Sequence, residues 1–151
     1  MPTITPFLWF DTQAEEAMQL YTSIFKGSKV LSVNRVPGGP VISVEFELEG
    51  QRFMALNGGP KHPFTDAISF MVSVETQQEI DELWAKLTAN GGGPSRCGWL
   101  KDKFGLSWQI IPKSLGRMLT DPDPAKSQPV VQAMLQMDKL DVAKLQAAYG
   151  G

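Results

Sequence analysis

At 151 residues, 42% hydrophobic and 20% charged, the chain has the size and composition of one ordinary globular domain, able to bury ~68–70% of its unfolded surface. Fourteen Lys and Arg against sixteen Asp and Glu give a net charge of -2, spread without long runs of one sign, so there is no electrostatic footprint for nucleic acid or an anionic membrane. A single cysteine, Cys97, excludes an intrachain disulfide, and a single histidine, His62, excludes a histidine-rich metal site.

No apolar stretch approaches the ~20 residues of a membrane span, and Met1 to Thr5 lack a basic region followed by an apolar one, so the expected location is the cytoplasm. Within Ile4 to Phe10, the run Phe7-Leu8-Trp9-Phe10 after Pro6 predicts a buried strand. Ala14, Ala17, Met18, Tyr21, Ile24 and Phe25 then recur at helical spacing, with Asp11 or Thr12 placed to cap the helix and Gly27 to stop it. Val30 to Val36 and Val41 to Leu48 read as strands around Pro37-Gly38-Gly39-Pro40. In the second, Ile42, Val44, Phe46 and Leu48 alternate with Ser43, Glu45 and Glu47, which predicts one wet face. Glu49-Gly50 is the next turn, and Phe53 to Leu56 a further strand ending at Asn57-Gly58-Gly59-Pro60.

The order then repeats. Ala67 to Val74 predicts a strand, and Ile80, Leu83, Trp84 and Leu87 mark the buried face of a helix that ends at Asn90-Gly91-Gly92-Gly93-Pro94. Short strands follow around Cys97 to Leu100 and Leu106 to Ile111, joined by a turn at Asp102-Lys103-Phe104-Gly105. Ala17, Leu20, Tyr21 and Ile24 match Ile80, Leu83, Trp84 and Leu87 at a constant offset, so the sequence reads as two copies of a β-α-β-β-β unit, residues 3–58 and 66–112. Beyond Pro112, Asp121-Pro122-Asp123-Pro124 separates a short helix at Ser114 to Leu119 from one starting near Pro129, and a last helix runs from Asp141. Val130, Met134, Met137, Leu140, Leu145 and Ala148 give this 113–151 tail an apolar side, which packs on its own domain or on a second subunit.

Two such units in tandem, with Ala14-Glu15-Glu16-Ala17-Met18-Gln19-Leu20-Tyr21 in the first helix and Gly98-Trp99-Leu100-Lys101-Asp102-Lys103-Phe104-Gly105-Leu106-Ser107-Trp108-Gln109 near the end of the second unit, resemble a known family. The chain is similar to the PhnB-like branch of the vicinal oxygen chelate superfamily, which includes glyoxalase, bleomycin-resistance and extradiol dioxygenase proteins and is often labelled demethylubiquinone methyltransferase-like. Gln51-Arg52-Phe53-Met54-Ala55-Leu56-Asn57-Gly58-Gly59-Pro60, Ala67-Ile68-Ser69-Phe70 and Ala133-Met134-Leu135-Gln136-Met137 with Lys139 fit the same branch. The resemblance implies an α+β fold in which residues 1–112 form an incomplete barrel around a cleft, with C-terminal helices added. It also implies a homodimer.

In metal-dependent members, one residue from the first and last strand of each unit holds a divalent cation. Carried over, these positions fall near Thr5, Ala55, Ser69 and Gln109, where such members present mainly His and Glu. Only Gln109 offers a useful oxygen, and no charge offsets a divalent cation, so no metal and no cofactor are expected. Nothing resembles a Gly-rich loop opening a helix after a strand, and the methyltransferase label is not adopted.

Phe7, Trp9, Met54, Met71, Trp99 and Trp108 lie on strands that the family fold directs partly into the cleft, where they wall an apolar ligand or else pack in the core; strand parity decides. Asn57, Ser69 and Gln109 are the polar candidates, free for a ligand or bonded to backbone and to each other. His62 is an exposed loop residue or, if its loop folds over the cleft, a base or ligand. Cys97, beside Arg96 on an expected strand, is a small buried hydrophobe or an activated thiol. Asp102 reads as a turn residue accepting local N–H groups. The expected function is binding of a small organic ligand without metal. The alternative is a metal-dependent isomerase, lyase or dioxygenase of the same superfamily.

Overall fold

The computed structural model describes residues 1–150; Gly151, the last residue of the expected tail, lies outside the described residues. The chain divides into two compact units, the first Met1–Phe64 and the second starting at Thr65. Unit 1 runs β1 (Phe7–Phe10), α1 (Ala14–Ile24), β2 (Ser28–Arg35), β3 (Val41–Leu48) and β4 (Gln51–Asn57). Its sheet has the order β1-β4-β3-β2, parallel between β1 and β4 and antiparallel elsewhere. Leu8, Phe10, Val44, Phe46, Phe53 and Ala55 are buried under α1, whose Ala14, Ala17, Met18, Tyr21 and Ile24 are buried in turn. The Tyr21 ring lies 6.3 Å from that of Phe46, which stacks on Phe53 at 5.5 Å. The expected helix face is therefore the one that packs. Glu49 and Gly50 both have positive φ, the geometry of a two-residue turn whose twist suits adjoining strands.

The cap of α1 differs from expectation. Neither Asp11 nor Thr12 serves; Gln13 stands at the N-cap without a side-chain bond, and the Ala14 N–H donates at 2.8 Å to Oδ1 of Asn57, from the end of β4.

Unit 2 runs β5 (Ser69–Val74), α2 (Gln77–Thr88), a turn of 3-10 helix (Ala89–Gly91), β6 (Gly93–Pro94), β7 (Trp99–Lys101) and β8 (Ser107–Pro112). Its sheet order, β5-β8-β7-β6, repeats that of unit 1, with β5 and β8 parallel. Three readings are corrected here. Gly93 and Pro94, expected only to end a helix, pair with Lys101 and Leu100 as the fourth strand; as the outer strand of the sheet, β6 tolerates a proline with no N–H. Cys97 is not on a strand but in the connection before β7, with φ of 58° and its N–H donated to the Met137 carbonyl at 2.8 Å. On α2, Ile80 and Leu87 are buried but Leu83 and Trp84, expected in the core, are half-buried. The start of α2 is a capping box: Thr76 Oγ1 accepts the Glu79 N–H while the Glu79 carboxylate accepts the Thr76 N–H.

The tail consists of α3 (Lys113–Leu119), α4 (Pro124–Leu135) and α5 (Val142–Gly150). The middle helix begins five residues before the expected Pro129, because Asp123 caps it through the Ala125 N–H at 2.9 Å and Pro124 takes the first position. Pro129 lies inside the helix, where it removes one backbone bond. Leu115, Met118, Val130, Leu140 and Leu145 form an apolar cluster against which Ile111 of β8 packs, so the tail covers its apolar side within its own unit. The Gln77 side chain on α2 accepts the Val142 N–H at 2.7 Å and donates to the Leu140 carbonyl at 3.0 Å. Among the described residues, no helix is long and apolar enough to cross a membrane.

Candidate functional site

Each sheet has a face covered by its helix and a face turned away from it, and the register sorts the candidate residues between them. In unit 1, Phe7 pairs with Met54 and Trp9 with Leu56, so Phe7, Trp9 and Met54 share the face away from α1. Phe7 is 53% exposed there, and Trp9 and Met54 are half-buried. In unit 2, Gln109 pairs with Met71 on one side and Trp99 on the other, placing Ser69, Met71, Trp99 and Gln109 on the face away from α2. Gln109 Nε2 donates to Ser69 Oγ at 2.8 Å, and Met71, on a strand expected to face the cleft in part, is 60% exposed beside them. Ile111 is on the same face two residues on, so the tail cluster borders it at one end.

Two candidates lie on the other faces. Trp108, one residue before Gln109, points to the buried side at 2% exposure, where its indole N–H donates to Asp102 Oδ2 at 2.9 Å. Asp102 is itself 2% exposed, and its Oδ1 accepts the N–H groups of Phe104 and Leu106 at 2.9 and 3.1 Å. The expected turn role is thus present, joined to a bond that orients a core indole. Asn57 pairs with Phe10 on the α1 side; besides capping α1 it donates through Nδ2 to the Val41 carbonyl at 3.1 Å. Its amide is occupied by backbone on both ends.

Ala55, one of the four positions carried over from metal-dependent relatives, is fully buried beneath α1. The register shifts that position by one residue: Met54 pairs with Phe7 as Gln109 pairs with Met71, so Met54 is the counterpart of Gln109. The unit 1 pair is then Thr5 with Met54, and the unit 2 pair Ser69 with Gln109. Neither contains an imidazole, a thiolate or a carboxylate, and this donor set does not fit a divalent transition metal. Among the described residues, no three His, Cys, Asp or Glu side chains are grouped to hold one.

A shallow cavity of about 400 Å³ lies elsewhere in unit 2, between α2 and the tail. Two of its charged groups pair with each other: Lys139 Nζ is 2.8 Å from Asp81, and that hydrogen bond, with a second from Gln77, holds the Asp81 carboxyl below its ordinary value. At the far end of the tail, the Tyr149 hydroxyl donates to Asp121, which holds that carboxyl below its ordinary pKa and pushes the phenol above its own.

The sequence pattern of the 3-demethylubiquinone-9 3-methyltransferase family matches residues 2–111. No curated protein sequence gives a significant match. Among solved structures, a PhnB protein from Bacillus cereus is 38% identical over 74% of this chain and 99% of its own, with a TM-score of 0.67. The fosfomycin resistance protein FosX from Listeria monocytogenes is 14% identical over 80% of this chain and 98% of its own, at a TM-score of 0.54. A glyoxalase/bleomycin resistance protein from Albidiferax ferrireducens is 11% identical, with coverages of 74% and 98% and a TM-score of 0.52. The last two share the fold. The matched family pattern and the 38% identity make this chain a member of the PhnB-like family, and its repeated 1-4-3-2 sheets share the fold of the glyoxalase/bleomycin resistance proteins.

Proposed function

We propose that this protein binds a small, largely apolar organic molecule on the sheet faces turned away from α1 and α2, without a resident transition metal. The donor set carries the reading. At the family's ligand positions, Thr5, Met54, Ser69 and Gln109 supply no charge, whereas Phe7, Trp9, Trp99 and Met71 beside them supply aromatic and thioether surface suited to flat or irregular apolar groups. The Gln109–Ser69 pair adds a polar point between Met71 and Trp99 that fixes a ligand's orientation.

The test combines two measurements. Protein purified without chelator is expected to contain well under one transition metal per chain. A ligand screen read by tryptophan quenching is expected to give hits that Trp99→Phe and Gln109→Ala each weaken by ~1–3 kcal/mol. Close to one zinc, iron, nickel or manganese per chain, lost together with an activity on mutating Gln109, would restore the metal-dependent isomerase, lyase or dioxygenase.

We also propose a homodimer in the cytoplasm. The lone free cysteine suits a reducing compartment. Because the tail is covered within its own unit, the surface that supports a dimer is the outer part of the unit 1 sheet, where Val30, Leu31 and Val33 of β2 and Ile42 of β3 are exposed. Sedimentation of a monomer at high micromolar concentration overturns the dimer.

A further inference from the structure

We propose that His62 recognises the acidic group of the ligand, a carboxylate carried on a flat apolar body that lies against Trp9; this rests on the ligand-binding reading and names the ligand class for the unit 1 face. The loop that follows β4 is fastened to β1 along its length. Gly58 N–H donates to the Phe10 carbonyl at 2.9 Å, Gly59 N–H to the Asp11 carbonyl at 3.3 Å, and the Trp9 indole N–H to the Gly59 carbonyl at 3.0 Å. A Cβ on Gly58 would stand 2.2 Å from the Trp9 ring, so only glycine lets the loop lie directly on the indole. Phe64 closes the loop edge-on to Phe10 at 5.2 Å.

Between these fastenings, the His62 ring meets Trp9 edge-on, with centroids 4.7 Å apart and planes at 88°. Ring packing therefore sets the imidazole's place, while its nitrogens stay available: His62 is exposed and has no hydrogen bond or ion pair among the described residues. An imidazole so held presents an N–H donor whether neutral or protonated, and a carboxylate accepts from either form. The cations of β4 and β2 are matched, Arg52 by Glu45 at 2.5 Å and Lys29 by Glu47 at 4.0 Å. Lys61, next to His62, has no ion pair among the described residues, which leaves the loop end favourable to an anion.

The experiment titrates the full-length, ¹⁵N-labelled protein with 2-naphthoate and with 2-naphthylmethanol, which keeps the ring system and lacks the acid. The readout is the indole N–H resonance of Trp9, assigned with Trp9→Phe. Both probes are expected to shift it, the acid binding about tenfold tighter. His62→Phe keeps an edge-on ring against Trp9 and removes both nitrogens. It is expected to abolish the preference, the acid then binding about tenfold more weakly and no tighter than the alcohol, and His62→Ala is expected to abolish the preference as well. An acid preference that survives in either variant overturns the role of His62 while the ligand face stands. Failure of both probes to move Trp9 in the unaltered protein overturns the ligand face and the His62 role together.

Discussion

The helix of each unit begins with backbone N–H groups that its own turns cannot satisfy, and the two units supply the missing acceptors from different distances. In unit 2, Thr76 and Glu79 are three residues apart and close a capping box by themselves. In unit 1 the acceptor is Asn57, 43 residues from Ala14, and the same amide ties α1 to β3 through Val41. The matched core positions differ too: Tyr21 is fully buried against Phe46, whereas Trp84 at the equivalent place on α2 is half-buried. A duplicated unit keeps its topology while the interactions that hold its helix diverge, because burying one face of the helix is the shared requirement and the cap is not.

The sharpest way to break this comparison is to truncate the matched aromatics. Tyr21→Ala is expected to cost ~3–5 kcal/mol in urea unfolding, and Trp84→Ala roughly half as much, since a half-exposed ring has less to lose. Equal losses would show that the two helix faces are buried alike. Within unit 2, Asp102→Ala leaves two backbone N–H groups and the Trp108 indole without their acceptor, for an expected loss of ~2–3 kcal/mol and a shifted Trp108 fluorescence maximum.

The caps come next in size. Asn57→Ala is expected to cost ~1–2 kcal/mol and to speed amide exchange in α1 and the β3 end together; Thr76→Ala should cost ~1 kcal/mol with faster exchange confined to the first turn of α2. A confined effect for Asn57→Ala would mean that the long-range cap is no different from the local one. The smallest effect is on pH dependence, and it belongs to the tail and its contact with α2. Asp81 and Asp121 both lie below the ordinary carboxyl value of 3.8 when folded, so their contribution is present above that value and is lost as pH falls through the lower folded ones. Tyr149 lies above 10.0, and its contribution is lost as pH rises through the raised value. Pepsin cleavage between α4 and α5 is expected to accelerate as pH drops below 3.8, and Tyr149→Phe to flatten that dependence; an unchanged dependence would remove the Asp121 contact from the account.

Much of the candidate site was legible as a set of residues and illegible as a set of directions. Phe7-Leu8-Trp9-Phe10 is an unbroken apolar run, so it announces a strand without saying which of its neighbours points inward. The register answers: Leu8 and Phe10 go under α1, Phe7 and Trp9 to the opposite face. The same parity separates Trp108 from Gln109 and Met54 from Ala55, each an adjacent pair that sequence position alone treats as equivalent. Asn57 carried a turn signal, and nothing near it in sequence pointed to a helix 43 residues earlier.

What the sequence by itself determined is the order of elements, the duplication, the helix faces of α1 and the family, because periodicity, turn residues and local caps act over a few residues and leave their marks in the chain. Only the tertiary structure decided which side of each strand meets the helix, that Gly93 and Pro94 complete a sheet, and that the tail covers Ile111 of its own unit. It likewise decided that the loop after β4 sets His62 on Trp9. Those outcomes depend on strand register and on contacts between residues distant in the chain, and a one-residue change of register sends every side chain of a strand to the opposite face without altering a letter of the sequence.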